Sequence, residues 1–562
     1  MRSFRLPLLL LIVGIVAIGL VVAQLVAPRV NDRVDVGRSY VEGVAGAPQA
    51  INPLLCQLNE ADRDLCGLVF SGLARLNESG EAVPDLASTW AISEDGITYT
   101  FKLRPDARWH DDKPVTADDV LFTASLLQSA EFPGRTDIGA AWQSLTVAKL
   151  DDITVRFVLR EPFAGFLDYV TIGLVPRHVL TGTEPRALAQ AQFNLQPVGS
   201  GPWRVVDVTA AGSRVSAVAL EPFAGYYGPK PALARLTFRY YANTSATLDA
   251  FQAGEVDGVA RIAVVDQARA AAEPGLTLYT AKLARYSALF LNTRKDSGTV
   301  SLAERQVRQA LMYALDREKI VRDALSGQGV VADTPFIPDT WAFTDSTRKY
   351  SYEPERARQL LRSAGYELAT DPRSNQPFWL KEGEAIALTL LHADDPTRKA
   401  VAESVVTQWR ALGIQVVAQA VGRNLERDYL ASRQFQVALV EVPLDGDPDQ
   451  YTFWHPSQAV RGQNYTGYDS NEAGGFLETA RQTTDKGRRA ELYRRFQELF
   501  AEDLPALPLY YPTYTFGVTS RIKGAQVGPL NYGSDRLRNV GDWVVAPAIP
   551  AAPAVPAASP TR

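Results

Sequence analysis

A long charge-free segment near the N-terminus constrains where the rest of this chain can fold. Arg2 and Arg5 precede a charge-free stretch from Leu6 to Pro28. This stretch approaches the roughly 20 apolar residues that cross a bilayer as a helix, whereas a secretory signal has an apolar core of about 7–15 residues. No cysteine lies near its end, which excludes a lipoprotein anchor. We expect residues 1–30 to be a retained membrane anchor, with a cleaved signal as the alternative. Either way, the rest of the chain lies outside the cytoplasm.

The length and charge of the chain limit its architecture and its partners. At 562 residues it is too long for one compact core, so two or three domains are expected. The net charge is −5, and lysines and arginines are interspersed with acidic residues, which argues against nucleic-acid binding. Residues 546–562 are rich in alanine and proline, and we expect them to form a disordered tail.

The sequence contains two cysteines, Cys56 and Cys66. In an oxidising compartment, two thiols this close in sequence can pair and close a small loop. We expect a disulfide between them, with two buried free thiols as the alternative. No C-x-x-C redox or zinc arrangement is present.

Motifs that would indicate catalysis are absent from the sequence. Its four histidines are far apart, and none stands in a metal-ligand spacing. There is no G-x-S-x-G elbow, no Walker loop and no G-x-G-x-x-G after a strand. We therefore expect no catalytic residues, no metal site and no cofactor. Tryptophans and tyrosines are frequent around turns and helix starts, which would suit the lining of a binding cleft.

The pattern of the first half predicts a small α+β subdomain. Apolar and polar residues alternate from 97 to 104, which is the period of a half-buried strand. Thr116 and Asp119 then form a capping-box pattern ahead of an apolar run. Residues 153–159 repeat the strand pattern. Together these elements predict one subdomain over about residues 80–187.

After residue 286 the pattern changes to helices that alternate with strands, which is typical of a mixed sheet flanked by helices. Gly413 is expected to end a helix, and Ile414–Gln419 to be the strand that follows it. Residues 507–512 predict a strand that returns to the first lobe. The expected helices are Arg305–Asp323, Arg398–Leu412 and Lys486–Glu502.

Eight segments between about residues 38 and 530 are informative because they occur together and in a particular order. They are PDLASTW at 84–90, DGITYTFKLR at 95–104, WHDDKPVTADDV at 109–120, GSGPW at 199–203, AFQAGEVD at 250–257, VRQAL at 307–311, ALDREK at 314–319 and LPALPLY at 504–510. This ordered series resembles the signature of the bacterial family 5 extracellular solute-binding proteins. That family contains the oligopeptide-, dipeptide- and nickel-binding proteins of ABC importers.

The resemblance implies an α/β, two-lobed periplasmic-binding-protein fold with an additional small α+β subdomain and a ligand cleft between the lobes. Two crossings, near Tyr286–Asn292 and near Ala501–Pro508, would form a hinge that closes on the ligand. The implied division is lobe one at 38–79, 188–285 and 506–545, the inserted subdomain at 80–187, and lobe two at 286–505.

The resemblance also implies where the ligand would bind. In peptide-binding members, an aspartate in a D-x-x-D-P-like loop binds the α-amino group of the ligand. The sequence LDGDPDQY at 444–451 occupies that region, although Asp445 stands one residue nearer the proline and Val442 replaces the usual aromatic residue. A polar turn is the alternative role for this loop. The expected ligand-binding residues are Asp445, Asp447, Tyr451, Trp454, Tyr286 and Asn292.

The function expected from these observations is that of an extracytoplasmic receptor of an ABC importer. Its partners would be a peptide or small-molecule ligand, the permease subunits and, through the N-terminal helix, the membrane. We expect a monomer that binds no nucleic acid. Nickel chelates, oligosaccharides and opines remain alternative ligands within this class. An extracytoplasmic hydrolase or transferase, and a sensory binding module, are the alternatives from other classes.

Overall fold

The computed structural model describes residues 38–547 except residues 78, 213, 295–298, 339 and 445. The predicted N-terminal anchor lies outside these residues, as does the predicted tail apart from residues 546 and 547. Within the described part of the chain, no helix is both long enough and apolar enough to cross a membrane.

Strands and helices alternate along the described chain. The strands are β1 Ser39–Ala45, β2 Ala74–Leu76, β3 Ala82–Pro84, β4 Ala87–Ile92, β5 Thr98–Leu103, β6 Thr146–Asp151, β7 Thr154–Val158, β8 Trp203–Ala211, β9 Arg214–Pro222, β10 Arg235–Tyr241, β11 Gly258–Val259, β12 Leu276–Lys282, β13 Arg285–Leu291, β14 Gly329–Val331, β15 Glu367–Thr370, β16 Pro377–Lys381, β17 Glu384–Ala385, β18 Ala387–Ala393, β19 Gln415–Val421, β20 Val437–Pro443, β21 Ala506–Thr519, β22 Ile522–Lys523 and β23 Val544–Val545. The α-helices are Glu60–Val69, Ala117–Leu127, Thr136–Gln143, Phe166–Tyr169, Arg177–Leu180, Thr244–Gln252, Gln267–Ala271, Arg305–Tyr313, Arg317–Lys319, Pro354–Ser363, Pro396–Leu412, Arg423–Ser432, Tyr451–Trp454, Asn471–Gln482 and Lys486–Asp503.

One 12-stranded sheet runs through both lobes, and β21 is the strand that they share. The order along the sheet is β19-β18-β20-β13-β21-β11-β1-β10-β9-β8, with β12 and β14 also paired to β21. The first part of β21 pairs with β13 of lobe two, and residues 513–519 pair with β12 of lobe one. The chain crosses between the lobes at Leu283–Ala284 and returns along β21. The first crossing therefore precedes the predicted hinge segment Tyr286–Asn292, which lies within and just after β13.

The subdomain is a four-stranded antiparallel sheet in the order β4-β5-β7-β6, covered by the helices Ala117–Leu127 and Thr136–Gln143. The predicted capping box is confirmed, because the Thr116 backbone N–H donates to the Asp119 carboxylate at 2.9 Å. The same carboxylate accepts a hydrogen bond from the backbone N–H of Arg177 at 2.9 Å. This cap therefore fixes a helix start and the later chain that packs beside it.

Lobe two follows the predicted alternation, with one departure. The helix Pro396–Leu412 ends where Gly413 adopts a left-handed conformation with φ of 99°. The predicted helix Arg305–Asp323 is not continuous, because α-helix ends at Tyr313 and resumes at Arg317. Asp316 causes the restart, since its carboxylate accepts the Lys319 backbone N–H at 2.8 Å and caps the second helix.

The predicted Cys56–Cys66 disulfide is not present in the structure. Both residues are free thiols buried in lobe one, and Cys56 Sγ lies 3.6 Å from the Pro53 carbonyl oxygen. Burial raises the pKa of the Cys66 thiol, and the neighbouring Cys56 adds to the rise. The thiols are therefore neighbours in an apolar core, which is a common environment for unpaired cysteine.

Candidate ligand cleft between the lobes

A cavity of about 50 Å³ lies between the two lobes. The turn between β2 and β3 and the segment 529–538 form its wall on the lobe-one side. Ala284 lies at the crossing itself, because its N–H donates to the Leu530 carbonyl and its carbonyl accepts from the Leu444 N–H. The residues that line the cavity are Asn77, Ser79, Gly80, Ala284, Phe336, Ile337, Thr340, Trp341, Leu444, Gly446, Pro448, Pro529, Asn531 and Arg538.

The turn between β2 and β3 is held by the side chain of its first residue. Asn77 Oδ1 accepts hydrogen bonds from the backbone N–H groups of Ser79 and Glu81, each at 2.9 Å. Gly80 completes the turn with φ of 74°, a conformation that disfavours any residue with a Cβ. An asparagine that bonds its own backbone two residues on is a recurrent turn former. Asn77 therefore positions Ser79 and Glu81 on this side of the cavity.

The opposite edge is the loop 444–449 that follows β20. Gly446 has φ of 63°, and a Cβ built there would lie 2.5 Å from Asp168 Oδ2 and 3.0 Å from a Leu76 methyl carbon. Glycine therefore lets this loop of lobe two lie directly against the subdomain and the β2–β3 hairpin. The backbone N–H of Asp447 also donates to the Asp168 carboxylate.

A third segment, 336–341, forms the apolar part of the lining and packs on the helix Lys486–Asp503. The Phe336 ring lies 5.2 Å from the ring of Tyr493 on that helix. Trp341 lies under the guanidinium of Arg489, with 5.1 Å between the guanidinium carbon and the ring centroid. The apolar surface of the cavity is thus supported by a long helix of lobe two.

Asp447, a predicted ligand-binding residue, already has a cationic partner in its own lobe. Arg489 donates to Asp447 through both terminal nitrogens, at 2.6 and 2.8 Å. Arg489 also donates to the Tyr493 hydroxyl at 2.9 Å and to the Ala480 carbonyl at 3.0 Å. A bidentate pair of this kind leaves Asp447 little capacity to hold a ligand cation. The structure therefore gives Asp447 the role of fixing the loop 444–449.

Asp449 has a similar structural role two residues later. Its carboxylate accepts the Tyr451 backbone N–H at 2.9 Å and lies 3.6 Å from Arg481. Burial raises the pKa of Asp449, and the charge of Arg481 opposes this rise. Tyr451, another predicted ligand-binding residue, stacks on His455 with ring centroids 4.2 Å apart. Its described contacts therefore hold the loop.

Three further predicted ligand-binding residues are buried within lobe two. Trp454 donates to Gln450 at 3.2 Å and packs against Phe290 and Phe500. Tyr286 is fully buried on β13. Asn292 donates to the carbonyls of Arg433 and Phe435 at 3.0 and 2.9 Å. None of the three lines the cavity. Asp445, the remaining predicted ligand-binding residue, lies outside the described residues.

Contacts outside the cavity also join lobe two to the other side of the cleft. Lys486 forms an ion pair with Glu81 at the end of the β2–β3 turn. The backbone N–H of Ala164 in the subdomain donates to the Arg481 carbonyl at 2.8 Å. The Arg481 guanidinium lies 4.8 Å from the centre of the Phe163 ring. The part of the chain that carries the four-stranded sheet therefore contacts lobe two beside the cleft.

Sequence reasoning missed the residues that line the cavity. The turn sequence NESG at 77–80 carries an asparagine and a glycine, a recognisable turn signal, but nothing in it indicates a ligand. Phe336, Trp341 and Arg538 belong to irregular segments without periodicity. These three residues line the same cavity only because of the relative positions of the lobes, and local sequence does not predict those positions.

Two lobes that share a sheet, with a cavity between them at the crossing, define the class of bilobed periplasmic solute-binding proteins. The chain belongs to the bacterial extracellular solute-binding proteins, family 5. The model named "Bacterial extracellular solute-binding proteins, family 5 Middle" matches residues 81–464. The predicted family, fold class and general function of solute binding are thereby confirmed.

Relatives with known ligands cover most of the chain. The dipeptide-binding protein of Escherichia coli K12 is 28% identical over 553 residues, covering 94% of this chain and 98% of the relative. The structure of the oligopeptide-binding protein AppA from Bacillus subtilis, in complex with a nonapeptide, is 26% identical with a TM-score of 0.70 and covers 91% of this chain and 99% of that one. NikZ from Campylobacter jejuni, in complex with Ni(L-His), is 27% identical with a TM-score of 0.71 and covers 90% and 99%.

Proposed function

We propose that this protein is the extracytoplasmic receptor of an ABC importer and that it binds short peptides in the cavity between its lobes. The observation that carries the proposal is that both lobes line one cavity at the point where the chain crosses between them. Peptide-binding proteins are prominent among its relatives, and the family consists of solute-binding proteins rather than enzymes. The receptor would release its peptide unchanged to the permease.

Binding and closure are coupled in this proposal. The cavity volume of about 50 Å³ is the space open to the centre of a water-sized sphere. One water molecule needs about 10–15 Å³ of that space, so the cavity holds a few waters and no peptide. The lobes must separate for a peptide to enter. A bound peptide touches both walls only when they approach, so it stabilises the closed form by its differential affinity. Rotation would occur at Leu283–Ala284 and along β21.

The chemistry of the lining suits a peptide. The lining combines apolar side chains with neutral polar ones, including Asn77, Thr340 and Asn531. This mixture suits peptide groups and an apolar side chain. Asp445 remains the predicted partner of a peptide α-ammonium.

The location of the receptor follows from its family and its N-terminal segment. The family is extracellular. Residues 1–30 would retain the chain at the outer face of the cell membrane. The receptor would act as a monomer. N-terminal sequencing of the native protein tests the anchor. A mature protein that begins after residue 23 would contradict it.

The experiment that tests the function starts from the purified protein. Denaturation should release a ligand that mass spectrometry identifies as a peptide, and calorimetry with that peptide should give one saturable site. The radius of gyration in solution scattering should fall on binding. Recovery of a nickel chelate, an oligosaccharide or an opine would replace the peptide assignment, and chemical turnover of the bound compound would contradict the receptor.

A further inference from the structure

A second and larger cavity opens on lobe two, away from the cleft between the lobes. Its volume is about 490 Å³, within the range of about 300–1,000 Å³ that small-molecule sites occupy. β20 separates the two cavities, because Gln436 precedes this strand and lines the larger one, whereas Leu444 follows it and lines the smaller one. Seven strand residues at about 3.3 Å each place roughly 23 Å between them. A small ligand in the larger cavity would therefore not touch a peptide in the cleft.

Three parts of lobe two build this cavity. The sheet contributes Leu391 of β18 and Gln419 of β19, which are partners in the strand register. The helix Arg423–Ser432 contributes Tyr429, and the segment 433–436 that joins this helix to β20 supplies further side chains. The cavity therefore lies where a helix ends beside the outer strands of the sheet.

Glutamine amides form much of the polar lining. The Gln436 amide is held in place, because its Oε1 accepts the Thr389 backbone N–H at 2.7 Å and its Nε2 donates to the Thr299 hydroxyl at 2.9 Å. Gln419 and Gln434 are exposed, and their side-chain amides form no hydrogen bond with the described residues. A primary amide has one acceptor oxygen and two N–H donors, so it can pair with hydroxyl groups, which also donate and accept. Two amides of this cavity are thus available to a hydroxylated ligand.

Arg433 is the one charged residue among the described residues of this lining. Its guanidinium donates to the carbonyl oxygen of Ala431 and, at 2.7 Å, to that of Gly462, while its Nε is buried with no partner among the described residues. No described carboxylate forms an ion pair with it. Burial lowers the pKa of this guanidinium, and the charge of Arg294 lowers it further. An anionic ligand group would therefore supply a counter-charge that the described residues do not.

The backbone of Arg433 also distinguishes this position. Arg433 ends the helix Arg423–Ser432 in a left-handed conformation with φ of 59°, where glycine is the usual residue. A side chain in this conformation strains the backbone, and such strain is found most often at functional sites. An arginine here is consistent with a use for its side chain.

We propose that lobe two carries a second ligand site, formed by Gln419, Gln434, Gln436 and Arg433, that binds an anionic sugar. The ligand class is a hydroxylated small molecule with one carboxylate or phosphate group. The anionic group would lie at Arg433 in a charge-assisted contact, and the hydroxyl groups would pair with the glutamine amides. This site lies apart from the cleft, so it does not depend on the proposed peptide binding.

The test is calorimetry on the full-length protein with four probes: gluconate, glucose 6-phosphate, inorganic phosphate and the uncharged sorbitol. Gluconate or glucose 6-phosphate should bind at one site at least about tenfold more tightly than sorbitol, because a hydrogen bond to a charged group contributes more than a neutral one. The same probe should bind more tightly than inorganic phosphate, which has no sugar hydroxyls. The tighter of the two sugars identifies the anionic group as carboxylate or phosphate.

Three variants assign the binding to this cavity. Gln419→Ala should weaken binding of the tighter sugar about threefold to tenfold, the effect of one lost neutral hydrogen bond. Gln415→Ala is the matched control, because Gln415 is an exposed glutamine on the same strand that does not line the cavity, and it should leave the affinity unchanged. Arg433→Gln should remove the preference for the charged sugar over sorbitol. Unfolding midpoints would verify that each variant folds, and Gln419→Ala decides the matter if Arg433→Gln does not fold.

The remaining outcomes overturn the inference. They are binding of none of the four probes, equal affinity for sorbitol and the charged sugars, equal effects of Gln419→Ala and Gln415→Ala, and displacement of the sugar by a saturating peptide, which would place it in the cleft. Failure of the proposed peptide function would be seen separately, as a wild type that binds the sugar but no peptide.

Discussion

Two arginine–carboxylate clusters, one in each lobe, differ in what surrounds them. In lobe one, Arg536 holds Glu42 and Asp64, and the three side chains are 1%, 0% and 5% exposed. In lobe two, Arg489 holds Asp447, and these side chains are 8% and 14% exposed beside the cleft. The first cluster joins β1, the helix Glu60–Val69 and the C-terminal segment of one lobe. The second supports a loop that contacts the subdomain across the cleft.

Because of this difference, we expect the lobe-one cluster to affect the stability of the fold and the lobe-two cluster to affect ligand affinity. Charges that connect parts of a single lobe act on its stability whether the cleft is open or closed. A group that touches the other side of the cleft acts on the equilibrium between open and closed forms, and so on affinity. We therefore expect mutations inside the Arg536 cluster to change the free energy of unfolding without changing affinity, and mutations that disturb a contact across the cleft to change affinity.

The largest expected effect is that of Arg536→Met. The replacement leaves Glu42 and Asp64 buried without a cation, which typically costs about 3–5 kcal/mol. Burial already raises the pKa of Glu42 and Arg536 opposes the rise, so removal of Arg536 should raise this pKa further. The free energy of unfolding, measured by urea denaturation, should fall by that amount.

Arg538→Gln is the matched control for Arg536→Met, since it removes a second guanidinium from the same segment. It should change the free energy of unfolding by no more than about 1 kcal/mol, because its ion pair with Asp535 is partly exposed and Asp535 keeps two backbone N–H groups as partners. A loss of stability as large as that of Arg536→Met would mean that both arginines stabilise the fold. The proposed distinction between stabilising residues and cleft residues would then be wrong for this segment.

Asp62 gives the next largest effect, and it depends on pH. Its carboxylate accepts the backbone N–H groups of Gln49 and Ala50 at 2.6 and 3.0 Å, yet burial raises its pKa from 3.8 to about 6. The folded state therefore holds the proton more tightly than the unfolded state. Stability from this group is complete below pH 3.8 and is lost as pH rises through 6.

The isosteric variant Asp62→Asn isolates this contribution. Its amide oxygen can still accept both hydrogen bonds, but it does not titrate. The free energy of unfolding of the wild type relative to the variant should fall by about 2 kcal/mol between pH 3.5 and pH 7. A difference that is constant across this range would show that Asp62 keeps an ordinary pKa in the folded protein.

Local sequence predicted the regular elements of this protein more fully than its cleft. Gly413 ends a helix because a left-handed residue is needed there, and Thr116 begins one through a capping box; both signals act within a few residues. Ordered motifs, read together, predicted the family and the two-lobed fold. The break after Tyr313 was missed because the capping by Asp316 competes with an otherwise continuous helical pattern.

The cleft depended on contacts that no local pattern records. The acidic loop was correctly expected after β20, but its pairing with Arg489 joins residues 42 positions apart. Arg538 and the turn at 77–80 meet in the same cavity from distant parts of the chain. Such encounters follow from the placement of whole lobes, so charge and residue type alone could not distinguish a ligand-binding aspartate from one that holds a loop.

The smallest expected effect is that of Gly446→Ala at the cleft edge, and it bears on affinity. Two terms contribute to it. Left-handed backbone costs a residue with a Cβ about 1–2 kcal/mol in either form of the protein. The contact with Asp168 Oδ2 at 2.5 Å exists only while the loop lies against the subdomain, so it penalises the closed form alone. We expect about a tenfold loss of peptide affinity, equivalent to about 1.4 kcal/mol.

Gly383→Ala separates these two terms. Gly383 lies in the turn between β16 and β17 of lobe two with φ of 84°, and a Cβ built there meets nothing within 4 Å. It therefore carries the backbone strain of Gly446→Ala without the contact across the cleft. Both variants should lose about 1–2 kcal/mol of stability in urea denaturation, but calorimetry should show weaker binding for Gly446→Ala alone. If the two variants bound peptide with equal affinity, the contact between Gly446 and Asp168 would have no effect on closure. The proposed coupling between this edge of the cleft and closure would then be wrong.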